Sequence, residues 1–377
     1  MYKITAYTED GHTIEFAALP NEDLVTSALK QNVILLTSCR EGGCATCKAE
    51  CTDGDYELAN ASVQALPPNE EEDGLVLLCC TYPRSNLTLN LPYTFDRVSF
   101  EKASREWAGE ILVAERVSSD VMRLVIRPAD PETGRPVKLK FRPGQHMDIE
   151  APGTNVWRSY SMAGTSESSD LEFLIRLMPD GFFSKFLLAG AAPGVRVRLR
   201  GPTGAFAMRE NGFRPRYFVA GGTGLSPVLS MVRHMRIEGH PQQAKLFFGV
   251  TNQRELFFAD KLREIESAMP NLTVHLSVMN PELSSPYSAG TVVDDLVKHF
   301  EQGGPNPDIY VCGPPGMIDA TLAAARKYGM PADQLFCEKF LASGPGTGSR
   351  MIWSERQASE HDDLFAARLV TSASSGS

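Results

Sequence analysis

Six of the eight cysteines fall between residues 39 and 80. Three stand in the run Ser38-Cys39-Arg40-Glu41-Gly42-Gly43-Cys44-Ala45-Thr46-Cys47, spaced Cys-x4-Cys-x2-Cys, and Cys79 follows after 31 intervening residues. This is the spacing of a plant-type 2Fe-2S site, where two irons bridged by sulfides need four thiolates. Gly42 and Gly43 lack a Cβ, so the loop can wrap close and aim N–H groups at the sulfurs, contacts that tune the reduction potential. Zinc is the competing ion, but zinc loops usually pair their cysteines as two Cys-x2-Cys units. Cys79 has Cys80 beside it. On a strand only one of two neighbours can face the cluster. The ligand set read here is Cys39, Cys44, Cys47 and Cys79, with Cys51 and Cys80 as packed thiols.

A second group of residues suits a flavin nucleotide. Phe141-Arg142-Pro143-Gly144-Gln145 leads into a strand, Arg158-Ser159-Tyr160-Ser161 follows, and Gly181-Phe182-Phe183-Ser184 opens an apolar helix. Arg158 can bond a pyrophosphate, Tyr160 can lie against an isoalloxazine ring, and Ser161 can hydrogen-bond its N5 edge. Gly181, Phe182, Phe183 and Ser184 place backbone N–H groups at a helix start, where phosphate binds well. Each alone is equally a surface arginine, a core tyrosine or a helix cap. The ordered combination points to a flavin nucleotide.

A third group suits a nicotinamide dinucleotide. The buried run Arg216 to Ala220 meets Gly221-Gly222-Thr223-Gly224-Leu225-Ser226-Pro227 and then a helix through Val228, Met231, Val232 and Met235. A strand, glycine turn and helix in that order cradle a pyrophosphate. The pattern departs from Gly-x-Gly-x-x-Gly, which disfavours the ordinary dinucleotide fold. A later strand, Asp308 to Cys312, ends in Cys312-Gly313-Pro314-Pro315-Gly316, glycines and prolines at the strand end where such sheets bind ligand. After Val250 only Arg254 could meet a 2′-phosphate, and Glu255 adjoins it, so NADH is favoured over NADPH. Phe340, after Glu338-Lys339, could cover the flavin or simply close the core.

These residues need elements to hold them. In residues 1–36, Tyr2, Ile4 and Tyr7, then Thr13, Ile14 and Phe16, read as two strands around Asp10-Gly11, and Leu24, Ala28 and Leu29 as a helix capped by Asn21. Residues 99–206 hold short strand-like runs separated by Pro and Gly turns, typical of a small antiparallel barrel. Residues 214–340 alternate strand and helix. The expected architecture is multidomain: a β-grasp ferredoxin-like α+β domain over 1–98, an antiparallel FAD barrel over 99–210, and an α/β parallel-sheet NAD domain over 211–341. Residues 342–377, rich in Ser, Gly and Ala, are expected to lack fixed structure. A chain of 377 residues accommodates two to three domains.

Charge sharpens this division. Residues 1–98 hold 15 Asp and Glu against 6 Lys and Arg, whereas residues 99–377 hold 31 of each. The net charge of −9 therefore sits wholly in the first quarter, as a docking face for a basic partner or as a solvated surface. It disfavours nucleic acid as a partner. The longest apolar run, Leu75 to Cys80, falls far short of the ~20 residues of a membrane helix. Met1 to Asp10 lacks the basic head and apolar stretch of a secretory signal, so a cytoplasmic protein with reduced thiols is expected.

Ferredoxin loop, flavin barrel and nicotinamide fold in this order resemble the ferredoxin–NADP reductase superfamily with an N-terminal plant-type ferredoxin. More narrowly, Ser38 to Lys48, Val63 to Pro68, Glu70 to Asp73, Leu75 to Cys79, Arg216 to Pro227, Asn306 to Asp319 and Phe336 to Phe340 resemble the reductase components of soluble methane monooxygenase and its diiron relatives. The resemblance implies electron flow from NADH through FAD and the cluster to an external diiron hydroxylase. It implies FAD contacts at Arg158, Tyr160, Ser161 and Gly181 to Ser184, and NADH contacts at Gly221, Gly222, Thr223, Gly224, Pro227, Cys312, Gly313 and Pro314. Cys312 would lie near the nicotinamide, and Phe340 would cap the flavin. Tyr160, Ser161, Cys312 and Phe340 would line the reacting centre. The hydroxylase would dock on the acidic ferredoxin face, and the reductase would be monomeric by itself. An aromatic-ring dioxygenase, a phenol hydroxylase or a short-alkane or alkene hydroxylase system is the alternative partner.

Overall fold

A computed structural model describes the chain except residues 38–41, 43–44, 60, 62, 64, 99, 101–104, 155, 205, 210–211, 305, 332–333, 341–368 and 371–377. The chain divides into two compact units, residues 1–103 with 343–377, and residues 104–342.

In the first unit, β1 (Tyr2–Thr8) pairs antiparallel with β2 (Thr13–Ala18) and α1 (Leu24–Lys30) follows. Then come β3 (Lys48–Asp53), β4 (Tyr56–Leu58), α2 (Pro68–Glu72), β5 (Leu75–Leu77), β6 (Thr81–Pro83) and β7 (Leu87–Leu91). β1 lies parallel to β7, and β3 bridges β7 and β5, giving the order β2-β1-β7-β3-β5. The alternating residues Ile4, Ala6, Ile14 and Phe16 face one core with Leu24, Val25 and Ala28 of α1, as period-2 and helical patterning require. The helix cap differs from expectation. Asp23, not Asn21, caps α1, its Oδ1 accepting from Thr26 N–H at 2.9 Å. Asn21 lies two residues too early for its side chain to meet the open N–H groups. The tail expected to lack structure falls outside the described residues except Leu369–Val370, which pair antiparallel with Thr13 and Ile14 of β2.

The second unit has two halves. The barrel half comprises β8 (Glu106–Arg116), β9 (Val121–Ala129), β10 (His146–Ala151), β11 (Val156–Ser161), β12 (Leu171–Arg176), α3 (Phe182–Ala189) and β13 (Arg196–Thr203). The strands run β11-β10-β13-β8-β9-β12. A bridge between Met162 and Phe173 joins the two ends, so the antiparallel sheet nearly closes on itself. The parallel half holds β14 (Arg216–Gly221), α4 (Leu225–Glu238), β15 (Ala244–Asn252), α5 (Ala259–Ser267), β16 (Leu272–Asn280), β17 (Ser288–Ala289), α6 (Val292–Glu301), β18 (Asp308–Gly313), α7 (Pro315–Lys327) and β19 (Leu335–Lys339). Its order, β17-β16-β15-β14-β18-β19, reverses direction at β14. The crevice at such a switch point, beyond the strand ends, is where these sheets bind ligand. The glycine turn and the Cys312-Gly313 turn both lie there, because Ala220 pairs with Cys312.

Candidate functional site

The cluster site is built from two segments of the first unit. Cys47 precedes β3, and Cys79 sits on the one-turn 3-10 helix Leu78–Cys80 after β5. Their Sγ atoms lie 3.3 Å apart and both side chains are buried. No disulfide joins them. Two thiolates on one tetrahedral ion with ~2.3 Å bonds, as in zinc sites, would lie ~3.7 Å apart. The pair therefore fits two ligands of one metal. The strand invoked to choose between Cys79 and Cys80 is absent, since a short apolar run reads equally as strand or turn. The choice rests instead on Cys79 facing Cys47, while Cys80 Sγ lies 3.7 Å from Cys79 Sγ and is buried. Cys51 is half-buried against the Asp53 carbonyl. Cys39 and Cys44 lie outside the described residues.

In the second unit, β11 presents Arg158 and Tyr160 on the same face, two residues apart. Arg158 Nη1 donates to the Trp157 carbonyl at 2.8 Å, which holds the guanidinium close to its own strand. Tyr160 packs on Phe183 with ring centroids 5.0 Å apart. Burial pushes the Tyr160 phenol up, so it stays neutral. Gly181 precedes α3, which starts with no side-chain cap. A helix start without a cap leaves backbone N–H groups for a ligand. Ser184 Oγ instead accepts from Met178 N–H at 2.9 Å and holds the preceding turn. Phe182 is half-exposed, whereas Phe183 is buried in the barrel core. Phe183 can therefore meet a phosphate only through its backbone. This uncapped helix start, together with the arginine and the aromatic face, fits a flavin nucleotide.

The parallel half builds its site from absent side chains. A Cβ on Gly224 would stand 2.1 Å from the Cys312 carbonyl oxygen. Only glycine there lets the two turns touch. Gly313 has φ +150°, and a Cβ on it would lie 3.0 Å from the Gly221 backbone. Thr223 and Pro227 are buried in this turn and the first turn of α4, Gly222 opens it, and Pro314 caps α7. Phe340 N–H donates to the Gly313 carbonyl at 2.9 Å, which anchors the residue beside the same turn. Cys312 is fully buried, and burial pushes its thiol well up, helped by the Glu338 carboxylate. It is a neutral thiol, not a nucleophile. This cradle of close backbone turns at a switch point fits a dinucleotide pyrophosphate.

The two half-sites meet. Ser161, at the end of β11, donates from Oγ to Glu338 Oε2 at 3.3 Å, and both are buried. Glu338 pairs with Cys312 across β18 and β19. Glu338 was not singled out from the sequence as a site residue. Its signal was a carboxylate directly after the apolar run Leu335 to Cys337 on a strand-like segment. At the end of β15, Glu255 bonds back to Asn252 as a capping box, and Arg254 is exposed. No helix among the described residues is long and apolar enough to cross a membrane.

Comparison with known proteins agrees with this geometry. A 2Fe-2S iron-sulfur cluster binding domain matches residues 7–84, an oxidoreductase FAD-binding domain residues 109–208, and an oxidoreductase NAD-binding domain residues 218–323. Methane monooxygenase component C of Methylosinus trichosporium is 53% identical over 301 residues, covering 80% of this chain and 87% of its own length. The toluate 1,2-dioxygenase electron transfer component of Pseudomonas putida is 32% identical over 91% of this chain and 99% of its own. Among solved structures, Amycolatopsis cytochrome P450 reductase GcoB superposes with a TM-score of 0.74 at 25% identity, over 91% of this chain and all of its own. The three cofactor sites and these relatives together place the chain in the family of NAD-, FAD- and 2Fe-2S-dependent oxidoreductases that form the reductase components of oxygenase systems.

Proposed function

We propose that this chain carries electrons from NADH through FAD and the 2Fe-2S cluster to a diiron hydroxylase of the methane monooxygenase type. The observation that carries the reading is the meeting of the flavin and nicotinamide half-sites at Ser161 and Glu338, because hydride transfer needs alignment above all. Bound FAD accepts two electrons as hydride and can hand them singly to a one-electron carrier. Arg158 bonds the FAD pyrophosphate, Tyr160 stacks on the ring, and Ser161 faces its N5 edge. The N–H groups of Phe182, Phe183 and Ser184 meet phosphate, whereas Gly181, expected to join them, donates its N–H to the Met178 carbonyl at 3.1 Å and serves the turn instead. Gly221 to Pro227 and Cys312 to Pro314 hold NADH, with the neutral Cys312 thiol against the nicotinamide and Phe340 over the flavin. Cys39 and Cys44 complete the ligand set begun by Cys47 and Cys79. Glu255, fixed in its capping box, repels a 2′-phosphate and favours NADH. The 53% identity to a methane monooxygenase component supports that partner over an aromatic-ring dioxygenase, phenol or other alkane system. The protein acts as a cytoplasmic monomer.

The hydroxylase docks on the acidic face of the first unit. Glu71, Glu72 and Asp73 are exposed, and Val63, eight residues before Glu71, is 68% exposed. Glu70 differs, because it pairs with Lys48 and so holds α2 in place. The test is the triple change Glu71→Lys, Glu72→Lys, Asp73→Lys. Hydroxylase reduction should slow ~10-fold or more, since such charges mainly set association rate. Dye reduction by NADH should not change. Equal loss in both assays would reject the docking face.

A further inference from the structure

α4 begins at the glycine turn of the nicotinamide half, and one of its faces is tied to the barrel. Ser226, Ser230 and Arg233 recur at helical spacing on that face. Ser226 Oγ accepts from Leu174 N–H at 3.2 Å. Ser230 Oγ donates to the Gly164 carbonyl at 2.6 Å. Arg233 Nη1 donates to the Ala163 carbonyl at 2.8 Å and to Glu172 Oε2 at 2.5 Å. Arg123 Nε holds the other Glu172 oxygen at 2.6 Å. Burial works against the Glu172 charge, but Arg233 and Arg123 outweigh it and keep the carboxylate ionised. Ser226 and Ser230 are wholly buried. Around them the barrel residues Val121, Ala163 and Leu174 share one apolar core with Leu225, Leu229 and Val232 of α4.

The position of these bonds gives them a consequence beyond stability. Ala163 and Gly164 follow Ser161 by two and three residues, and α4 starts one residue after Gly224. The seam therefore ties the strand end that faces the flavin to the helix whose start holds the pyrophosphate. We propose that Ser230 and Arg233 are positioning residues for hydride transfer, which fix the distance between nicotinamide and flavin without touching either. A displacement of about 1 Å at a reacting centre costs on the order of 100-fold in rate, so a seam loosened by a fraction of that is readable. This inference rests on the hydride-transfer reading above.

The seam opens outward on a cleft of about 370 Å³ lined by Arg123, Gly164, Glu172, Arg233 and Arg236. Water from this cleft can solvate the carbonyls that a truncated side chain leaves, so the variants should fold. The test is Ser230→Ala with Arg233→Ala in the full-length holoenzyme, with Arg233→Lys as the conservative control. At saturating NADH, flavin bleaching in stopped flow should slow ~10-fold, while half-saturation shifts less than ~2-fold. The FAD-to-protein absorbance ratio should match the parent, and Arg233→Lys should recover most of the rate. Amide exchange in residues 162–175 should quicken in the double variant, a readout independent of turnover. A parental bleaching rate with faster exchange would overturn the positioning role. So would a rate loss that merely follows FAD loss. If even the parent fails to bleach with NADH, the hydride-transfer reading fails, not the seam alone.

Discussion

On the proposed reading, the two halves of the second unit build nucleotide sites by opposite means. The barrel presents side chains: Arg158, Tyr160 and Ser161 stand on one strand, β11. The parallel half presents backbone: Gly221, Gly224 and Gly313 work by what they lack. The difference follows from the sheets. Antiparallel strands have one face on the core and one on solvent, so alternate residues can be given to a ligand. Along β13, arginines instead form ion pairs with the neighbouring strands, Arg198 with the buried Glu150 of β10 and Arg200 with Glu106 of β8. Parallel strands are covered on both faces and contribute only their ends. There the chain must turn within contact distance of a neighbouring turn, and glycine is the residue that permits it.

This contrast predicts different failures. Gly224→Ala should be the most damaging single change. Its Cβ would meet the Cys312 carbonyl oxygen at 2.1 Å, and a backbone atom cannot yield as a flexible side chain can. Such overpacking costs roughly 3 kcal/mol at its upper range, which urea unfolding would measure. Bleaching of the flavin by NADH should fall on the order of 100-fold. A variant with parental stability and rate would break the comparison. Arg158→Ala should act more gently and on FAD alone. Loss of a charge-assisted bond costs about 1.5–3 kcal/mol, so FAD should dissociate ~10- to 100-fold more readily on dilution. The fold should persist because Arg158 is not part of the core. If Arg158→Ala unfolded the barrel, its side chains would be structural after all.

The smallest effect concerns pH. His275 lies in the parallel half, stacked on Phe247 with centroids 4.9 Å apart and beside His299 at 4.5 Å. Its Nε2 is buried with no hydrogen-bond partner among the described residues. Burial, with His299 and Lys245 nearby, pushes its pKa down to about 4. Between that value and the ordinary one near ~6.5, the unfolded chain binds a proton that the folded chain refuses. Stability must therefore fall as pH drops through this window. The loss should be on the order of 2 kcal/mol once partial exposure is discounted. Unfolding in urea at pH 7 and pH 5 should show a smaller difference for His275→Gln than for the parent. An undiminished difference would place the sensitivity elsewhere.

How much of this was legible in the sequence depends on whether a feature is local. The Cys39 to Cys47 loop, Gly221 to Gly224 and Arg158 to Ser161 stand out in the sequence because each is a short contiguous pattern. The turn at Leu78–Cys80 was not, since the apolar run from Leu75 to Cys80 fits strand or turn alike. Asn21 and Asp23 are both good caps two residues apart, and only the first turn of α1 decides between them. The Ser161–Glu338 contact joins residues 177 apart. Ser226, Ser230 and Arg233 have the spacing of a polar helix side. Nothing local says that this side meets a barrel rather than water.

The central claim is a continuous path from NADH through FAD to the cluster. Anaerobic titration of the purified holoprotein with NADH, followed by visible absorbance and electron paramagnetic resonance, tests it most directly. The account predicts flavin bleaching together with the signal of a reduced 2Fe-2S cluster. Bleaching with no cluster signal, when dithionite does produce one, would contradict it.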